Sequence, residues 1–381
     1  MTTTVTPDTA GSLVSRAQEV ERLAARHAAE ADRDRHLRAE VVEAIADAGF
    51  TRHFVPARWG GAAGGFGALV DAVTVVGEGC TAAAWVASLG ATVARMAAHL
   101  PAEGQQEIWG DGPDPLLVGA LMPVGRARPV PGGWRLTGTW SFISAVDHSD
   151  WALVCAMTPA EGAHQEEARY FAVERAAYTV RDTWLSVGMR GTGSNTLVLE
   201  EVFVPVHRSF PREHVLEGTG SPSPAPCHRV PLKAVNGLSF VTPILGATRG
   251  MFARWTEWGA ARETDVAFRE VLTRTAWDLD TALLLLHRAA SVADGGAPTA
   301  LLTARSARDC ALVAERLLTA TNLMFRATGT SGQSQGSPFE RSWRDVNSAS
   351  SHLVLRLGPA AAAYTEQLLA EPKDVKDSRR T

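Results

Sequence analysis

Apolar residues recur every three or four positions from Ser12 to about His99, give way to short β-rich runs from about Asp114 to Phe210, and return to the helical period from about Leu238 to Leu369. In the first region LVSRAQEVERLAARHAAEADRDRHLRAEVVEAIADAGF reads as helix, with Gly49 as its C-terminal stop and the charge-rich EADRDRHLRAE as a solvated face. CTAAAWVASLGATVARMAAHL, ended by Pro101, reads as a mostly buried helix. In the second region PLLVGALM, GGWRLTGTWSFIS, WALVCAM, ARYFAVE and NTLVLEEVFVP read as strands of an antiparallel barrel or sandwich. The Pro, Gly and Ser-rich PREHVLEGTGSPSPAPCHRVPLK reads as a loop or linker. Helices, then strands, then helices predict an α+β chain whose β part is a separate layer. We expect an N-terminal α-helical domain over 1–112, a central β-barrel or sandwich domain over 113–233 and a C-terminal helical domain over 234–381. No repeat of fixed period is present.

At 381 residues the chain can bury a large core divided into two or three subdomains. A net charge of −4 with 20% charged residues provides no basic field, which argues against nucleic acid as a partner. No run approaches 18 uninterrupted apolar residues and the N-terminus has no signal-type apolar segment, so a soluble, cytoplasmic protein with no membrane partner is expected. Cys80, Cys155, Cys227 and Cys310 are widely spaced and read as reduced, mostly buried thiols. The eleven histidines form no metal-ligand pattern, and no metal site is expected. The glycine cluster GMRGTGS, 188–194, lies between β-like runs instead of opening a helix, and WGGAAGGFG, 59–67, is set aside on the same ground. A nicotinamide cofactor held by this chain is therefore not expected.

The segment ERSWRDVNSASSHLVLRL places a histidine in text suited to helix packing. If it is helical throughout, eleven steps bring His352 back to within roughly 20° of Arg341, so that Arg341, Asp345, Ser348 and His352 share one face. A core histidine satisfied by a backbone carbonyl would use the same residue type. Arg341 and Asp345, four apart, read as an ordinary helix ion pair.

Taken together, GGWRLTGTWSFISAVDHSDWALV, DTWLSVGMRGTGSNTLVLEEVFVP and PFERSWRDVNSASSH resemble the acyl-CoA dehydrogenase fold over roughly residues 15–370. Within that fold they most resemble the two-component flavin monooxygenases. The dehydrogenases place a carboxylate base after the ERxxRD helix; on that frame this chain has His352 and Leu353, and leucine cannot take a proton. The resemblance implies a C-terminal four-helix bundle, a homotetramer, and reduced FAD or FMN delivered by a separate NAD(P)H:flavin reductase. With O2 as co-substrate it implies a C4a-hydroperoxyflavin that hydroxylates an aromatic small molecule such as a phenol or indole. N-hydroxylation, S-oxygenation and acyl-CoA dehydrogenation are the alternatives.

The same resemblance implies roles for individual residues. His352 faces flavin and substrate, where an imidazole can donate a hydrogen bond or exchange a proton. Ser144 approaches flavin N5, and Phe142 packs near the ring, with Trp140 a further candidate at its border. Thr192 and Ser194 lie by the flavin, Arg190 contacts phosphate or a neighbouring subunit, and Arg341 belongs to the flavin site. Trp85, His99 and Trp255 are candidates for the substrate cavity, and eleven tryptophans suggest an apolar or aromatic substrate.

Overall fold

The computed structural model describes residues 12–159, 166–260 and 265–370. Five helices lead: α1 (Leu13–Asp34), α2 (Ala39–Asp47), α3 (Phe66–Gly79), α4 (Thr81–Ala97) and α5 (Ala102–Trp109). Seven strands follow: β1 (Leu117–Val130), β2 (Gly133–Ile143), β3 (Trp151–Pro159), β4 (Glu166–Glu174), β5 (Thr179–Arg181), β6 (Asn195–Pro205) and β7 (Ser209–Pro211). The chain then forms α6 (Arg212–Glu217), α7 (Leu232–Ala260), α8 (Val266–Asp294), α9 (Ala300–Ala327), α10 (Gly329–Gly332), α11 (Pro338–Ser350) and α12 (Leu357–Ala370). Among the described residues no helix is long and apolar enough to cross a membrane.

The strands form one sheet in the order β5-β6-β2-β1-β3-β4-β7. Its pairs are antiparallel except β1 with β3, which run parallel, so the expectation of a wholly antiparallel layer needs that correction. Helix α4 lies between this sheet and α7, and nearly all of its residues are buried, as its continuous apolar text predicts. Helices α3 and α7 cross closely: a Cβ on Gly77 would stand 2.9 Å from the Cα of Gly246, so only glycine fits there.

Three expectations change. EADRDRHLRAE is not one helical face: Arg35 takes a left-handed conformation (φ 63°) and separates α1 from α2, while Gly49 ends α2 with φ 94° as read. The Pro-rich linker contains the short helix α6. The glycine stretch 59–67 does open a helix, α3, but among the described residues no strand precedes it. The Asp294 carboxylate accepts hydrogen bonds from Phe66 N (2.6 Å) and Gly67 N (3.0 Å), occupying the place where a phosphate would sit.

Candidate active site

Helix α4, the end of β2, the turn before β6 and the segment after α11 converge on the Trp85 ring. Its indole N–H donates to Ser144 Oγ (3.2 Å), and its ring meets His352 edge-on at 5.8 Å and Phe240 of α7 at 5.2 Å. His352 stacks on Phe240 with ring centroids 3.8 Å apart. Ser144 and His352, more than two hundred residues apart in sequence, thus meet the same side chain.

Ser144 stands at the head of a hydroxyl chain whose proton directions are fixed. Thr192 Oγ1 donates to the Met189 carbonyl at 2.8 Å, so its only proton is committed. In the 2.7 Å contact between Thr192 and Ser194, Ser194 must then be the donor. By the same reasoning Ser144 donates to Ser194 across 2.8 Å. Ser144 Oγ therefore receives one hydrogen bond from Trp85, gives its proton inward, and keeps one lone pair for a guest. Thr192 and Ser194 orient this hydroxyl.

A backbone irregularity accompanies the chain. The β2–β6 register shifts between Trp140 and Ile143, and Phe142 is held at φ 66° with 75% of its surface exposed. A bulge re-aims the side chains around it, and positive φ in a phenylalanine is strained, which is characteristic of ligand sites. The Phe142 ring faces outward, edge-on to Trp184. Trp140, by contrast, is wholly buried in the sheet with its N–H on the Cys155 carbonyl, so it packs the core.

His352 lies two residues beyond the end of α11, not on its face: it caps the 3-10 turn Leu353–Leu355, with Nδ1 accepting from Val354 N at 3.4 Å. The proton of the neutral ring is then on Nε2. Burial lowers the His352 pKa to about 4, so near pH 7 the ring is an uncharged donor and not a store of exchangeable protons.

Arg344, Arg190 and Asp345 tie α11 and the turn before β6 to their neighbours. Arg344, rather than Arg341, makes the ion pairs of α11, to Glu340 and to Asp32 (2.7 Å) at the end of α1. Arg190 donates to the backbone of Asp32 (2.7 Å), Ser186 (3.2 Å) and Arg33 (3.4 Å), which fixes the turn against α1. Arg341 lines a polar cleft with Arg254, Ser342 and Asp345. Asp345 does not pair with Arg341; its carboxylate accepts from Met189 N at 2.6 Å and so anchors the turn carrying Thr192 and Ser194. The glycines of that turn are explained by packing, Gly188 against the Arg344 carbonyl and Gly191 against Ala31 and Ala82. His99, buried against Phe210, and Trp255, buried against Phe268, are not brought to the Trp85 group. Phe240 joins it instead; within a long apolar helix its sequence context offers no signal.

Burial raises the Asp345 pKa to about 6. A carboxyl whose folded pKa exceeds its unfolded value binds more protons when folded, so it lowers stability as pH rises from about 4 to about 6. Relative to Asp345→Asn, which retains an acceptor for Met189 N, the wild-type protein should lose roughly 2–3 kcal/mol across that window. Parallel denaturant titrations at pH 4.5 and 7 check this; parallel curves for the two proteins would refute it.

Two family profiles match the chain: acyl-CoA dehydrogenase N-terminal domain over residues 15–110 and acyl-CoA dehydrogenase C-terminal domain over 238–357. The chain belongs to the acyl-CoA dehydrogenase family. Within it, the similar proteins are flavin monooxygenases. The chain is 29% identical to the flavin-dependent monooxygenase oxygenase subunit HsaA of Mycobacterium tuberculosis, over 84% of this chain and 85% of that protein. It is 28% identical to an FADH(2)-dependent resorcinol hydroxylase, oxygenase component, of Rhizobium sp., over 95% of each. Among solved structures, XiaF from Streptomyces sp. in complex with FADH2 and glycerol superposes with a TM-score of 0.88 at 26% identity, covering 94% of this chain and 95% of that one.

Proposed function

We propose that the protein is the oxygenase component of a two-component monooxygenase, taking reduced flavin from a separate reductase and, with O2, hydroxylating an aromatic small molecule of the phenol or indole type. The observation that carries this reading is the Trp85 junction. It joins a hydroxyl with an unused lone pair, Ser144, to an imidazole with an unused N–H, His352, and position 353 holds leucine where a dehydrogenase would hold its base.

The residues present fit a flavin. Ser144 would accept from an N–H of the reduced ring, Phe142 would offer it an exposed aromatic face, and His352 Nε2–H would be available to an oxygen atom at the site. Bound reduced flavin supplies the chemistry of reaction with O2 and delivery of one oxygen atom. This chain's own residues orient the ring, keep the hydroxyl chain pointed inward, and exclude water with Trp85 and Phe240. The FADH2-dependent relatives support reduced FAD, with FMN the alternative. We also infer a homotetramer, supported by Trp277 and Leu284, which are exposed on one face of α8. Four buried free thiols support a cytoplasmic location.

The test is direct. The purified protein should neither consume NADH nor oxidise an acyl-CoA by itself, and should hydroxylate phenols or indoles only when a reductase or chemically reduced flavin is added under air. NADH turnover by this chain alone, or anaerobic reduction of its flavin by an acyl-CoA, would refute the reading.

A further inference from the structure

Helix α7 carries a proline in its interior, Pro243, so the Ser239 carbonyl one turn earlier receives no hydrogen bond from position 243 of its own backbone. Ser239 is buried, and a carbonyl left unpaired in the core is costly. Ser88 of α4 supplies the missing donor: its Oγ donates to the Ser239 carbonyl at 2.8 Å. The neighbouring hydroxyls have determined directions. Thr92 Oγ1 donates to the Ser88 carbonyl (2.8 Å), so in its 2.9 Å contact with Ser239 Oγ the serine is the donor. Two hydrogen bonds of opposite sense therefore join α4 to α7 at Ser239, and the Ser88 and Thr92 side chains that make them are buried.

This tie lies beside the aromatic group of the candidate site. Ser239 adjoins Phe240 in α7, and Ser88 lies one helical turn beyond Trp85 in α4. The Phe240 ring meets Trp85 at 5.2 Å and stacks on His352 at 3.8 Å. One turn past Pro243, α7 is held against α3 instead, where Gly246 meets Gly77. The part of α7 that bears Phe240 is thus fastened to α4 on the near side of the proline. Apolar packing is non-directional and leaves two helices some freedom to slide, whereas a hydrogen bond constrains both length and angle.

We infer that Ser88 and Pro243 together set the separation of Trp85 and Phe240, and through it the size of aromatic ring that the site accepts beside His352. Pro243 creates the acceptor and Ser88 fills it. Ser88 is then a positioning residue, acting on the substrate through the two aromatic side chains. Without its hydroxyl the Phe240 turn is released from α4 and a wider ring is admitted. The ring-size consequence rests on the proposed oxygenase function; the dependence of Ser88 on Pro243 does not.

The experiment is a double-mutant cycle on the full-length chain with Ser88→Ala, Pro243→Ala and the two combined. Urea unfolding is read first, without flavin or substrate, so its outcome is independent of the oxygenase test. In the wild-type background Ser88→Ala should lower the folding equilibrium constant by about tenfold or more, because a buried carbonyl loses its donor. In the Pro243→Ala background, where a backbone N–H returns to the Ser239 carbonyl, the same change should cost about threefold or less. Equilibrium dialysis of phenol and 2-naphthol against each protein with reduced FAD, under anaerobic conditions, then reads selectivity without turnover. Ser88→Ala should shift the ratio of the two dissociation constants toward 2-naphthol by at least about threefold. The double variant, stable again but without the tie, should keep the shifted ratio, while Pro243→Ala alone and Ser88→Thr, which both retain the Ser88 donor, should hold the wild-type ratio. Additive unfolding effects would overturn the dependence of Ser88 on Pro243. A ratio unchanged in both proteins that lack the Ser88 hydroxyl would overturn its role in ring selection and leave a tie that serves stability alone.

Discussion

Ser144→Ala should speed hydrogen peroxide release from the flavin-loaded protein without substrate by about tenfold or more, and should erase a preference for reduced over oxidised flavin by a similar factor. Ser144 gives its proton to Ser194, so toward a guest it can only accept. A reduced flavin presents an N–H at N5 and an oxidised flavin a lone pair, so a fixed acceptor favours the first and repels the second. Loss of one such bond in a dry site costs about 1–3 kcal/mol. Thr192→Val is the more discriminating variant: it leaves Ser144 in place but removes the acceptor that holds the chain in one direction. Ser144 is then free to turn its proton outward, and affinity for oxidised flavin should rise toward that for reduced flavin, while Thr192→Ser behaves as wild type. The check is equilibrium titration with both redox forms alongside peroxide release; equal ratios in all four proteins would remove the chain from flavin binding.

His352→Ala should leave folding unchanged and lower hydroxylated product per reduced flavin consumed by about ten- to a hundredfold, the effect of losing a donor worth roughly 1.5–3 kcal/mol to a developing charge. Because burial holds the ring neutral down to about pH 4, wild-type coupling should be flat from pH 5.5 to 8 with no inflection near 6.5. A residual donor should rescue part of the loss, so His352→Asn should fall between wild type and alanine. Full coupling in the alanine protein combined with a lower melting temperature would make His352 a core residue.

Much of this was legible in the sequence because it lay in single segments. The unbroken apolar text of α4, the alternating runs of β1 to β4 and β6, and the ERxxRD frame each predict an element without reference to the rest of the chain. Ser144, Ser194 and Thr192 share one hydroxyl chain, and Trp85 links Ser144 to His352. What could not be read was pairing across segments. The Asp345 carboxylate turns to Met189 N instead of Arg341, and Arg344 reaches Asp32 of α1 as well as Glu340 of its own helix. The break at Arg35 was hidden by a charge pattern equally suited to a helical face. The role of Ser88 in capping the carbonyl that Pro243 leaves free depends on the α4–α7 contact, which no local pattern encodes.

The contact between Arg344 and Asp32 joins residues 312 positions apart, and the packing of His352 on Phe240 and edge-on to Trp85 also waits for the last helices. A chain emerging from the ribosome can complete its first five helices and its sheet before any part of this closure exists. Contacts of such long sequence separation form late and slowly. The site is therefore absent from every incomplete chain, and a chain shortened before Pro338 would display Trp85 and Phe240 without the segment that covers them. Maturation of the active site is in this sense a final step of biosynthesis, set by the order in which the polypeptide is made.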